Sequence, residues 1–151
     1  MDYALDVAKI VIASEIQQET VNAGLAGGYP DAVAIKERID AGRIEVRTVA
    51  QMPTPFEEVL DLYGLQDGDK AVVRLSLKST DVDTTVTDDR LLYVVLRRCG
   101  CDVLFLPDFI EKAVTAGIHD AVTGKQLLLA VRPRLHVGFI EHSLRRLEGV
   151  I

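Results

Sequence analysis

Tryptophan is absent from this chain and aromatic residues make up only 5 % of it, so Val, Leu, Ile and Ala have to build the interior. Such β-branched and aliphatic content suits parallel strands buried beneath helices. Cys99 and Cys101 are the only cysteines, too few for a disulfide framework. Without a second cysteine pair they do not make a zinc site either, and buried thiols are expected. No apolar run reaches membrane-spanning length, and no basic segment followed by an apolar stretch opens the chain as a secretory signal would. Basic residues are outnumbered, 17 Lys and Arg against 23 Asp and Glu, giving a net charge of −6. That balance argues against broad binding to polyanions but leaves room for a nucleic acid held by a metal and a few arginines. Together these absences predict a soluble, cytoplasmic protein, and 151 residues are enough for one domain with a real core, spanning 1–151.

The pattern along the chain alternates helices with short strands. Residues 1–8 read as the tail of a helix and 9–13 as a buried strand. Ser14 is placed to cap a helix running to Gly24, and Asp31 to cap another running to about residue 41. Residues 43–49 alternate as an edge strand does. Helices are expected from Pro53 to Gly64 and from Asp69 to Ser79. A strand over 82–87, a helix over 90–98 and a strand over 102–106 follow. Helices then fill the C-terminal part at 108–116, 119–131 and 134–148. The result is an α/β fold, with a mostly parallel sheet flanked by helices and a helical C-terminus.

Acidic residues fall at the element junctions where open α/β folds place ligands. Strand 82–87 runs into Asp88 and Asp89 just before a helix. Asp69 opens the preceding helix and shares a face with Val72, Val73 and Ser76, which turns its carboxylate inward. Glu19 shares a face with Glu15, Ile16 and Asn22, at the boundary between buried and wet surface. Carboxylates from three elements converging on one point form a hard oxygen site suited to Mg²⁺ or Mn²⁺. Each residue also has a plainer role. Asp69 and the Asp88-Asp89 pair are suited to capping helices, and Glu19 to a solvated helix surface.

Basic residues cluster late in the chain, at Lys125, Arg132, Arg134, Arg145 and Arg146, with Glu141 as the acid among them. They form either a solvated helical surface or a phosphate-contacting flank. Arg90 adjoins Asp89 and is the arginine nearest the acids in sequence, with Arg97 and Arg98 further along the same helix. His119, His136 and His142 lack metal-ligand spacing, and no serine sits in a nucleophile-elbow context. Gly24 to Gly28 follows no strand, so a phosphate-cradling loop is not expected there.

Three segments resemble the PIN domain family. They are Val11-Ile12-Ala13-Ser14-Glu15-Ile16-Gln17-Gln18-Glu19-Thr20-Val21, Gly68-Asp69-Lys70-Ala71-Val72-Val73-Arg74-Leu75 and Val86-Thr87-Asp88-Asp89-Arg90-Leu91. The likeness runs from about residue 9 to 117 in the family's order. It implies a three-layer α/β fold and a Mg²⁺- or Mn²⁺-dependent ribonuclease, as in VapC-type toxins and ribosomal RNA processing factors. By position, Glu19, Asp69 and Asp89 resemble the family's second, third and fourth acids, with Asp88 as an auxiliary ligand. Arg90, Arg132 and Arg134 are then expected to contact RNA. A homodimer, with 127–131 as a candidate contact, and an antitoxin-like protein partner are also implied. The family's first strand and its terminal aspartate have no counterpart, since Asp2 and Asp6 follow no strand. A start lying upstream, or a shortened and catalytically impaired relative that binds RNA or protein, are the two expectations that follow. A small-ligand-binding α/β protein is the remaining alternative.

Overall fold

Helix α6 (Asp67–Lys78) is the element around which the N-terminal two-thirds of the chain is arranged. Its buried residues point two ways. Ala71 and Leu75 pack with Ala13, supported by Val11, Ile16 and Val49. Val73 instead joins Leu60, Leu65, Leu92, Val95, Leu96 and Val103 in the largest apolar cluster. A helix with apolar residues on both flanks is buried on both, and its polar first turn is thereby held at a fixed place between its neighbours. Leu60 and Leu96 are fully buried, each worth roughly 1.5–3 kcal/mol relative to exposure.

The computed structural model describes residues 2–149; Met1, read from sequence as part of the first helix, lies outside them. After α1 (Asp2–Val7) come strand β1 (Ile10–Ala13) and a helical stretch of three parts. These are α2 (Ser14–Gln17), a π-helical turn over Gln18–Asn22, and α3 (Ala23–Ala26). Then follow α4 (Pro30–Asp40), β2 (Ile44–Arg47), α5 (Thr54–Leu62) and α6. The second half runs β3 (Thr85–Thr87), α7 (Arg90–Arg98), β4 (Val103–Phe105), α8 (Leu106–Thr115), α9 (Ala121–Val131) and α10 (Val137–Leu147).

The strands are parallel, as their aliphatic composition suggested, but they form two separate pairs and not one sheet. β1 pairs with β2, Ile10 opposite Ile44 through Ala13 opposite Arg47. β3 pairs with β4, Thr85 opposite Val103 through Thr87 opposite Phe105. Helices cover both pairs, which is the usual condition of parallel strands.

Helix starts depart from the sequence reading where proline competes with capping side chains. α4 begins at Pro30 with Tyr29 as its N-cap, and Asp31 sits in the first turn without capping it. α8 begins at Leu106 with Pro107 inside its first turn, two residues earlier than expected. Proline's fixed φ suits it to these positions, where its missing N–H has no partner to lose. Ser14 does not cap α2; Ala13 holds that place and the Ser14 hydroxyl donates to Glu15 Oε2 at 3.0 Å. Arg132–Arg134 form a 3₁₀ turn, so α10 starts only at Val137.

Around Ile110, Leu128 and Ile140, α8, α9 and α10 make a separate apolar cluster that Leu127, Val131 and Leu144 complete. This changes the reading of 127–131 as a dimer contact. Leu128 is fully buried, and Leu127 and Val131 pack inward, leaving Leu129 and Ala130 outside. Cys99 and Cys101 pack against the cluster centred on Leu96. Burial pushes both thiols up, away from the thiolate needed for nucleophilic or metal-ligating work. Among the described residues no helix is long and apolar enough to cross a membrane.

Candidate functional site

The N-terminus of α6 lies between the π-helical turn and the β3–α7 junction, and this brings together acids far apart in the chain. Glu19 is on the π-helical turn, a rare geometry that recurs at functional sites. Nothing in the residues of the turn signals it, and the apolar spacing reads as an ordinary helix to Gly24. Its side chain lies across α6, so close that a Cβ built on Gly68 would meet Glu19 Oε2 at 2.6 Å and Oε1 at 2.8 Å. Only a glycine leaves room for that carboxylate.

Asp69 follows Gly68 and is half-buried. Burial pushes its pKa up, the backbone N–H of Gln66 opposes this, and the charge of Asp89 raises it further. The Gln66 contact is the reach-back of an N3 acid to the N-cap amide in a capping box, so the plainer role of Asp69 is realised. It does not account for the inward, partly desolvated carboxylate facing a second acid.

Asp89 is the N-cap of α7, its Oδ1 accepting from Leu92 N at 2.8 Å, while its own N–H donates to Thr87 Oγ1 at 3.0 Å. One of its oxygens is thus engaged. Asp88 is turned elsewhere, for Arg134 Nη2 lies 2.7 Å from its Oδ2. The residue read as an auxiliary ligand and one read as an RNA contact therefore hold each other. Arg90 is exposed at the start of α7 and takes part in none of the ion pairs among the described residues. Arg132 is exposed in the 3₁₀ turn.

Glu19, Asp69 and Asp89 thus gather around the first turn of α6, whereas Asp88 belongs to a neighbouring ion pair. Among the described residues, no three His, Cys, Asp or Glu side chains are drawn together tightly enough to form a ready metal shell. The donors are carboxylate oxygens, the hard kind that divalent cations take, and the space over Gly68 is filled by the Glu19 carboxylate itself. The arrangement is open, with the oxygens spread around the turn.

Next to the Asp88–Arg134 pair lie two adjoining cavities of about 290 Å³ and about 360 Å³, both lined by Arg90, Phe105 and Phe139 and neither by Glu19, Asp69 or Asp89. They sit across the carboxyl ends of β3 and β4, with α10 as the far wall. Sequence reasoning missed them. The signal was present: in a chain with four phenylalanines, one ends a strand just before Pro107 and another opens the last amphipathic helix. The histidines read as unassigned divide here, His136 lining the larger cavity and His142 the smaller. His136 also caps α10, its Nδ1 accepting from Gly138 N at 3.2 Å. His119 is remote, its Nε2 3.1 Å from the Tyr3 carbonyl.

Comparison with protein-family models, with curated proteins and with solved structures gave no match.

Proposed function

We propose that this protein is a divalent-metal-dependent ribonuclease of the PIN-domain type, with Glu19, Asp69 and Asp89 holding Mg²⁺ or Mn²⁺. One observation carries the assignment. The carboxylate of Glu19 rests on Gly68, beside an Asp69 whose ionisation is opposed by burial and by Asp89. An acid whose charge is disfavoured by burial and by a neighbouring carboxylate is suited to a cation that neutralises it. When bound, such a cation supplies Lewis-acid activation of water and neutralises charge building on the phosphate.

The chain's own residues do the rest. Arg90, paired with no carboxylate among the described residues and adjacent to Asp89 in sequence, contacts a phosphate of single-stranded RNA. Arg134 tethers Asp88 and so holds the β3–α7 junction against the 3₁₀ turn. A three-layer PIN-like fold is supported by the order of elements and by parallel strands in two pairs on either side of α6.

A second reading is favoured by a specific observation. Asp89 and Asp88 are already engaged by Leu92 and Arg134, and this suits a catalytically impaired module that binds RNA or a protein partner. Cleavage of a labelled single-stranded RNA in Mn²⁺, with chelator as control, separates the two. Asp69→Asn keeps the side-chain shape and removes the charge, and is expected to lower the rate at least a hundredfold, on the order of the loss of a group acting directly on the chemistry. A rate unchanged by Asp69→Asn removes the nuclease assignment; RNA binding without turnover by either protein establishes the second reading.

A further inference from the structure

We infer that the cleft between the carboxyl ends of β3 and β4 and the start of α10 holds one unstacked base of a single-stranded RNA, stacked on Phe139. The inference deepens the function proposed above, and takes RNA as the ligand on that reading. Phe139 is 44 % exposed, yet it is not loosely held. Its ring meets Phe105 edge-on at 5.0 Å between centroids, and His136 packs at 6.3 Å on another side. Tyr93 completes the row, 6.0 Å from Phe105 and also edge-on. Edge-to-face packing holds an aromatic ring in place, and the exposure of Phe139 shows that part of its surface stays open. A rigid ring with open face area is what a base needs for stacking, and stacking tolerates any base because each presents a π surface.

Size and charge agree with this occupant. Cavities of about 290 and 360 Å³ stand at the lower end of the range for small-ligand pockets, roughly 300–1,000 Å³. They suit a single nucleotide and not a duplex. Arg90 borders both cavities and stands next in sequence to Asp89, so one cation joins the base-holding cleft to the acids. A base seated on Phe139 has the Arg90 guanidinium within the same cleft as a partner for its phosphate. Asp108 lines the smaller cavity and supplies an acceptor for amino or imino donors on the base edge.

The test uses the full chain in chelator, so that binding is read without metal and without cleavage. A short single-stranded RNA and an abasic ribose-phosphate chain of equal length are titrated calorimetrically. The unsubstituted protein is expected to bind the RNA more tightly than the abasic chain. Phe139→Ala is expected to weaken RNA binding roughly five- to hundredfold and to leave the abasic chain within about twofold. Phe139→Tyr retains stacking and retains affinity. Phe139→Leu keeps bulk without a π face and behaves as the alanine variant, which decides the matter if alanine impairs folding. Equal weakening of both ligands, no weakening of either, or no RNA binding by the unsubstituted protein overturns the inference. The two proposals fail separately. Base-dependent binding alongside cleavage indifferent to Asp69→Asn removes the nuclease and keeps the cleft. Cleavage lost in Asp69→Asn alongside binding indifferent to Phe139 does the reverse.

Discussion

Glu57→Ala is expected to destabilise the fold by about 3–5 kcal/mol, the range for leaving one member of a buried ion pair alone. Arg74 stands in the middle of α6 and is 7 % exposed. Its guanidinium donates from Nε to Glu57 Oε1 at 2.9 Å and from Nη2 to Oε2 at 2.7 Å, a two-pronged contact between α5 and α6. Glu57 Oε1 also accepts from Met52 N at 2.6 Å, tying the loop before α5 to the same carboxylate. In the variant the nearest acid left to Arg74 is Glu15, 4.0 Å away, too far for a hydrogen bond.

The pH dependence follows from the same pair. Hydrogen bonding to Arg74 holds the Glu57 carboxyl below the usual carboxylate range, with the Met52 amide adding to it. A lowered folded-state pKa gives stability that is present above the unfolded value and lost as pH falls through the folded one. The unsubstituted protein is therefore expected to lose on acidification a share of stability that Glu57→Ala lacks from the outset. Denaturant unfolding at pH 7 and at pH 3 measures both effects. A difference under about 1 kcal/mol at pH 7 contradicts the assignment of Arg74 and Glu57 as the tie between these helices.

Gly68→Ala is expected to do the opposite, damaging function while sparing the fold. Alanine is favoured over glycine in a helix by roughly 0.5–1 kcal/mol, and Gly68 lies in the first turn of α6. The atoms nearest the new methyl all belong to the carboxylate end of Glu19, a flexible group that can move aside. Stability is expected to stay level or rise slightly. Glu19 is displaced from its place on α6, and RNA cleavage in Mn²⁺ is expected to fall about 10- to 100-fold, as when the support of a metal ligand is removed. Full activity in Gly68→Ala shows that Glu19 has no part in the site. A large loss of stability shows instead that the glycine serves packing.

The strands and the cap at Asp89 were legible in the sequence because they depend on local chemistry. Val11-Ile12-Ala13 is a short apolar run, and an aspartate before Arg90 meets the free amides of α7. The capping role of Asp69 and its inward orientation were legible together, from helical spacing. The role of Gly68 was not, because a glycine in a first turn does not disclose that a glutamate 49 positions earlier lies over it. The π-helical turn was hidden for a related reason. It shifts the helix phase by one residue, and the neighbours it meets, α4 and Gly68 of α6, come from later in the chain. Asp88 was read as an auxiliary ligand beside Asp89, and Arg134, distant in sequence, holds it instead. The division of the strands into two pairs is a tertiary outcome, since each strand's apolar pattern is the same whichever neighbour it takes.

The central claim is that Glu19, Asp69 and Asp89 take up a hard cation together. Titration of the full chain with Mn²⁺, following free Mn²⁺ by its electron paramagnetic resonance signal, tests it without RNA or turnover. One saturable site is predicted, weakened at least tenfold by Asp69→Asn and unaffected by replacing Asp31, an acid in the first turn of α4. No saturable site, or one that Asp69→Asn leaves intact, contradicts it.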